Sequence, residues 1–373
     1  MSWTQKTLGE IVNLKRGFDL PSSSRVDGPY PVFSSSGQTG THSEAAVKGP
    51  CVITGRYGTI GQVFYSDAAC WPLNTSLYST EFKGNNPKFV YYLLKTLPWR
   101  DYLTASAVPG INRNHVHLCP VCVPDYETQT SIATVLGLLD HKIDVNTKLN
   151  GYLEELVALE FSRRFGEIES SIDLGKVLSI STKTLKPQNC HGEIWEHYSI
   201  PAYDANRRPV FELADGIKSN KYVIDANCIL ISKLNPSIRR IWMPACSSKQ
   251  AVCSTEFIVY KPKNPVHKAF YYAAIGAPAF RDFLLAHVTG STGSRQRTKP
   301  KATLTYPIPN PGLESVEDFC AFANPLYEQI KVNERNSAQL EELRDTLLPK
   351  LMTGEIDVSE LDLKQLNSHL GEC

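Results

Sequence analysis

The chain is written twice, and that duplication limits its fold more than any other feature. From Ile143 it reads I-D-V-N-T-K-L-N-G-Y-L-E-E-L, and from Ile330, 187 residues on, I-K-V-N-E-R-N-S-A-Q-L-E-E-L. Ile143, Val145, Asn146, Leu153, Glu154, Glu155 and Leu156 recur as Ile330, Val332, Asn333, Leu340, Glu341, Glu342 and Leu343. Earlier landmarks recur at smaller offsets: Leu8-Gly9 as Leu174-Gly175, Tyr91-Tyr92 as Tyr271-Tyr272, and Arg100-Asp101-Tyr102-Leu103 as Arg281-Asp282-Phe283-Leu284. A drifting offset is what two copies of one fold give when their loops differ in length. The period is too long for a solenoid. It is a domain plus its connecting element, and it points to a molecule that grips something twice.

The formal net charge of +1 hides an alternation that the repeat exposes. Residues 1–124 carry 11 Lys+Arg against 7 Asp+Glu, and residues 167–312 carry 19 against 11. Residues 125–166 carry 4 against 7, and residues 313–373 carry 5 against 13. Basic segments suit a polyanion, whereas acidic ones are repelled by phosphate and must face something else. No apolar run reaches the ~18 residues of a membrane span. The N terminus lacks the apolar core of a signal peptide, and the ten cysteines are dispersed rather than framed as disulfides. These features predict a cytoplasmic protein with no membrane role.

The acidic segments read as long helices. After Pro124, apolar residues fall at Ile132, Val135, Leu136, Leu139, Ile143, Leu149, Leu153, Leu156 and Phe165, in steps of mostly three and four. The second stripe is Phe319, Phe322, Leu326, Ile330, Leu340, Leu343, Leu347 and Leu351, opening near Ser315, with a kink or a delayed start expected at Pro325. Spacer helices are therefore expected over 125–166 and 313–354, followed by an acidic tail over 355–373. Each would be about 60 Å long at ~1.5 Å per residue. Their apolar seams need a partner, and the natural one is the other copy, packed antiparallel about a pseudo-twofold axis. Asn146 and Asn333 lie on those seams and are expected to set register as a facing amide pair.

The segments before each helix, 1–124 and 167–312, read as strand-rich domains of mixed α/β type, so the fold class is α+β. Short β-type runs such as Cys51–Thr54, Gln62–Tyr65, Cys228–Ile231 and Phe257–Tyr260 alternate with turn residues. Helical stretches are expected over Pro87–Leu97 and Pro265–Ala274.

Gly55-Arg56-Tyr57-Gly58-Thr59-Ile60-Gly61 lacks the Gly-Lys-Ser/Thr ending of a phosphate loop and reads as a hairpin turn. Its tip carries Arg56 and Tyr57, suited to touching nucleic acid, and its counterpart Lys233-Leu234-Asn235-Pro236-Ser237-Ile238-Arg239-Arg240 is more basic. The strongest electrostatic signal is Gly290–Lys301, where Arg295, Arg297, Lys299 and Lys301 accompany Gln296; Pro109–Asn114, with Asn112 and Arg113, holds the matching place in the first copy. Arg and Lys there could serve phosphates, and Arg and Gln could read base edges. The alternative is a solvated basic loop. His115, His117, Cys119 and Cys122 alternate as a half-buried strand does, at spacings shorter than most zinc sites; a structural metal unique to one half is the alternative. No nucleotide loop, methyltransferase tetrad or nucleophile elbow is present, so the chain is expected to recognise rather than catalyse.

Over nearly its whole length the chain resembles the specificity subunits of type I restriction–modification systems. The resemblance rests on Trp3 with Leu8-Gly9-Glu10-Ile11, on Leu174-Gly175-Lys176-Val177, and on Val123-Pro124 followed by Glu127, Gln129 and Ile132. It rests also on the ending Leu347-Leu348-Pro349-Lys350-Leu351-Met352-Thr353-Gly354-Glu355-Ile356. The second copy departs from the Glu-x-Gln pattern, with Glu314 and Val316 there. The resemblance implies two target-recognition domains reading the two halves of a bipartite site on double-stranded DNA, and helices that set the gap. It implies two adenine-methylating modification subunits docked on the helical region, and motor–nuclease restriction subunits beside them. S-adenosylmethionine, ATP and Mg²⁺ would belong to those partners, with no cofactor or metal on this chain. A specificity subunit of a methylation-only or other phage-defence complex is one alternative. A standalone DNA-modifying enzyme is another.

Overall fold

The computed structural model of the protein describes residues 3–104, 109–289 and 296–358. The chain forms two compact units: residues up to Val145 together with those from Ser337 onward, and Asn146–Asn336. Each unit thus holds one strand-rich domain, half of the first long helix and half of the second.

In the first unit, Thr4–Thr7 pairs antiparallel with Pro120–Val123 and closes the domain. A four-stranded antiparallel sheet runs in the order Asn13–Arg16, Ser76–Glu81, Cys51–Gly55, Val63–Ser66. A smaller sheet orders Gly37–His42, Tyr30–Ser34 and Trp71–Pro72, the last pair parallel. The second unit repeats this plan. Ser171–Asp173 pairs with Pro307–Pro309, and Leu178–Ser181, Phe257–Pro262, Ile229–Ser232 and Ile241–Trp242 form the matching four-stranded sheet. The parallel pairing returns between Ile194–Tyr198 and Ala251–Ser254, in a sheet enlarged to five strands. The duplication is therefore topological as well as sequential.

The recurring Leu-Gly has a packing reason. Leu8 and Leu174 are fully buried, and a Cβ on Gly9 would lie 3.2 Å from the His117 carbonyl oxygen, one on Gly175 3.2 Å from that of Leu304. A larger residue would push the backbone opposite away by a few tenths of an ångström, so glycine suits this close approach. Gly354, at φ +75°, likewise turns the chain where a Cβ would meet the Trp3 ring at 2.7 Å.

The long helices span Tyr126–Phe165 and Leu313–Thr353. Asp125 caps the first, its carboxylate accepting the Thr128 N–H at 2.9 Å, a bond that holds its pKa low. Gln129 is buried, and its amide donates to Asn85 Oδ1 (2.9 Å) and the Pro124 carbonyl (3.0 Å) while accepting the Asn86 N–H (3.0 Å). This single side chain ties the start of the helix to the domain. The second helix does not start late at Pro325 but begins at Leu313 and runs through it. Proline removes one backbone donor, and Phe319, Ala323, Tyr327 and Ile330, buried on either side of it, hold the turns in place.

Within the first unit, Ile132, Val135 and Leu136 share a core with Leu348, Leu351 and Met352. Within the second, Val157, Phe161 and Phe165 share one with Phe319, Ala323, Tyr327 and Ile330. The N-terminal half of one helix thus meets the C-terminal half of the other in each unit, which is an antiparallel arrangement. Corresponding positions hold different chemistry. Val90, Ile132, Leu348 and Met352 of the first core correspond by the repeat offsets to Phe270, Phe319, Phe161 and Phe165, whose ring centroids lie 5.2–6.0 Å apart. Asp140, which accepts the Tyr92 hydroxyl at 2.6 Å and pairs with Arg344 at 2.7 Å, corresponds to the buried Tyr327.

Asn146 and Asn333 are both 4% exposed. Asn333 Nδ2 donates to Asn150 Oδ1 at 2.7 Å, and Gln329 donates to Asn333 Oδ1 at 2.8 Å. The amide that Asn333 meets is thus one turn beyond Asn146. Helical side chains lean toward their own N terminus, which in an antiparallel pair carries Asn333 toward the C-terminal side of its opposite number. Among the described residues no helix is long and apolar enough to cross a membrane.

Candidate nucleic-acid interface

The Cys51–Gly55 and Val63–Ser66 strands pair antiparallel, with Arg56 and Tyr57 in the connecting turn. The Arg56 and Tyr57 N–H groups both donate to the Thr75 carbonyl (2.9 and 3.1 Å). The Arg56 guanidinium lies 4.6 Å from the Tyr57 ring centroid, a stacked pair with Tyr57 exposed. Tyr57 bridges Gly110, and the Ile111 N–H donates to the Arg56 carbonyl at 2.9 Å. The turn is thereby brought against the Pro109–Asn114 loop, a contact that the sequence did not announce. Asn112 caps the short helix Arg113–His117, its Oδ1 accepting the Asn114 N–H at 3.0 Å, which leaves Arg113 exposed at the helix start.

His115 and His117 lie on that helix, which corrects the strand expected for them. His117 Nε2 accepts the Leu14 N–H at 3.0 Å, and burial, with Arg113 and Lys83 nearby, lowers its pKa and favours the neutral ring that accepts. Cys119 is buried, and Cys122 is exposed on the following strand. No three His, Cys, Asp or Glu side chains converge on a metal position among the described residues.

The second domain repeats the contact between turn and loop. Leu234 bridges Arg297, the Asn235 N–H donates to the Gln296 carbonyl (2.9 Å), and the Thr298 N–H donates to the Lys233 carbonyl (3.1 Å). The side chains, however, divide into two groups. Arg239, Lys299 and Lys301 are exposed, and Lys233 and Gln296 are half-buried. Arg240 is 7% exposed and grips Asp204 through Nε (2.6 Å) and Nη2 (2.8 Å). Arg297 grips Glu256 through Nε and Nη2, both at 3.0 Å. Each carboxylate raises the pKa of its arginine. In both arginines Nε and Nη2 are held by a carboxylate, so each guanidinium is fixed in place by a distant acidic residue. Asp204 and Glu256 stand 36 and 41 residues from their partners, so no local pattern could reveal the pairing. Arg295 lies outside the described residues.

Residues 1–155 match the family model described as the type I restriction modification DNA specificity domain. The chain is 26% identical to the type I restriction enzyme MjaIX specificity subunit of Methanocaldococcus jannaschii, covering 84% of this chain and 79% of that protein. It is 25% identical to the type I restriction enzyme EcoprrI specificity subunit of Escherichia coli over 36% of this chain and 35% of the other. Its fold is similar to the S subunit of the type I restriction–modification system from M. genitalium, with a TM-score of 0.59, 16% identity, and 94% and 96% of the two chains covered. Residues 1–155 thus carry the DNA specificity domain of type I restriction–modification systems, and over most of its length the chain is similar to the specificity subunits of those systems.

Proposed function

We propose that each domain reads one half of a bipartite duplex target and that the helix pair sets the unread gap. The supporting observation is the repeated contact of a turn with a polar, cationic loop, Tyr57 against Gly110 in one copy and Leu234 against Arg297 in the other. The chain itself is non-catalytic in this reading and works in the cytoplasm. Adenine methylation and ATP-dependent cleavage belong to modification and restriction subunits, which hold S-adenosylmethionine, ATP and Mg²⁺. Methylome sequencing of the host with and without this gene tests the role. Loss of one bipartite adenine-methylated motif is expected, and an unchanged methylome refutes it.

Arg297→Ala is expected to weaken binding at one half-site by displacing the loop, and Glu256→Gln should reproduce that loss. If only Arg297→Ala lowers affinity in a mobility-shift titration, Arg297 touches DNA directly and the positioning role fails.

The first long helix supports the docking of a modification subunit. Leu149 and Leu156, expected on the buried seam, are 40% and 45% exposed, and Tyr152 and Leu159 are 68% and 61% exposed. Steps of three and four place all four on one outward stripe, the pattern an apolar partner helix fits. The repeat-equivalent positions on the second helix are Asn336, Gln339, Leu343 and Thr346. The two modification subunits are therefore expected to bind with unequal affinity. Leu156→Glu should weaken the tighter site about ten-fold or more, since burying a leucine is worth ~1.5–3 kcal/mol. Native mass spectrometry of a titration checks this, and equal binding of both subunits to the variant refutes the assignment.

A further inference from the structure

A narrow crevice of about 10 Å³ lies in the second unit, bounded by Ser232, Pro236, Arg239, Arg240, Gly276 and Arg281. Its volume admits one oxygen-sized atom. Arg239, Arg240 and Arg281 all line the crevice, and like charges gathered around so small a space repel unless an anion joins them. Two carboxylates partly offset them: Asp204 on Arg240, and Asp282 on Arg281 at 3.3 Å. Arg239 is exposed and has no ion-pair partner among the described residues. The sharper observation is Arg240 Nη1, which is buried and finds no hydrogen-bond partner among the described residues. A buried N–H left unpaired is costly, so such a group calls for an acceptor.

The crevice stands between the basic turn and a helix that precedes the basic loop in the chain. One wall is the Lys233–Arg240 turn, and another is the helix Pro278–Ala286, which leads into the basic loop. The Thr298 hydroxyl donates to the Leu284 carbonyl at 3.1 Å and ties that helix to the loop's far end. We propose that the crevice receives one phosphate oxygen, supplied by the DNA backbone of the half-site that the second domain reads. Arg240 Nη1 would donate to the oxygen from within, while Arg239 and Arg281 screen the phosphate charge from outside. Asp204 fixes the Arg240 fork beforehand, so little ordering remains when DNA arrives. This inference rests on the DNA-reading role proposed above.

The test uses the complete complex with its modification subunits and a duplex carrying the motif identified by methylome sequencing. Arg239→Gln combined with Arg281→Gln leaves the buried Arg240–Asp204 pair intact. Loss of one phosphate contact should make the log–log salt slope of binding shallower by about 0.9. Affinity should fall on specific and unrelated duplexes alike, with the methylated motif unchanged. Arg239→Lys with Arg281→Lys should restore the slope. An unchanged slope in the Gln variant overturns the DNA contact. In a second arm, inorganic phosphate at millimolar concentration should raise the melting temperature of the wild type and not of the Gln variant. A phosphate effect without a change in DNA slope would overturn the DNA source and retain an oxyanion site, and no effect in either arm would leave only a bound water. A wild-type complex that does not prefer its motif duplex defeats the DNA-reading role, and the phosphate arm then reads the crevice independently.

Discussion

Exchanging residues 1–124 for the matching domain of a related subunit should rewrite one half of the methylated motif and leave the other half and the gap unchanged. The cut falls just after the Thr4–Thr7 and Pro120–Val123 pair that closes the domain, so no sheet is divided. The incoming domain must still cover Ile132, Leu136, Leu348, Leu351 and Met352, which share a core with Leu8, Ile11, Val90 and Val121. It must also offer partners to Gln129 like those of Asn85 and Asn86. A chimera meeting these conditions keeps the helices, and with them the spacing. Inserting four residues into the first helix should instead lengthen it by ~6 Å and change the gap alone. Methylome sequencing of cells carrying each chimera gives the answer, and a domain exchange that alters both half-sites together shows that the halves do not read independently.

Phe319→Ala should cost about 3–5 kcal/mol, the range for removing a buried phenylalanine. Phe319 is fully buried and lies 5.5 Å from the rings of both Phe161 and Phe165. Three elements converge there: the first long helix, the helix Lys268–Gly276 that carries Phe270, and the second long helix. The void left by the ring cannot close without moving one of them. Leu343→Ala on the same helix, 46% exposed, should change stability by no more than about 0.5 kcal/mol. Hydrogen exchange should localise the Phe319→Ala loss to residues 157–165 and 313–330. Urea denaturation that finds the two variants equal would show that the aromatic cluster does not hold the second unit together.

Much of the architecture was legible because duplication and periodicity are local signals. The 3.6-residue spacing and the absence of proline marked the first long helix to within a residue of Tyr126–Phe165. Turn residues marked the hairpin around Cys51–Gly55, and the helix expected over Pro87–Leu97 runs from Pro87 to Thr96, capped by Asn86, whose side chain accepts the Lys88 and Phe89 N–H groups. The delayed start that Pro325 suggested was a propensity argument, and the helix begins ahead of it at Leu313. The short helix of His115 and His117 was misread because five residues are too few to separate a period of two from one of 3.6.

The candidate interface was legible as segments and not as side chains. Sequence alone set the duplication, the alternation of basic domains with acidic helices, and the match of each candidate segment to its counterpart in the other copy, because these depend on composition and chain order. Only the tertiary structure decided which cations remain available. Arg240 and Arg297 are held through Nε and Nη2 by Asp204 and Glu256, whereas Arg239, Lys299 and Lys301 stay exposed. It also decided which apolar face of the first helix is covered, burying Val157 and Phe161 and leaving Leu149 and Leu156 outside. The reason is physical. A guanidinium goes to the nearest well-placed carboxylate, and a helix buries the face its neighbours cover, and both choices are made by residues distant in sequence and adjacent only after folding.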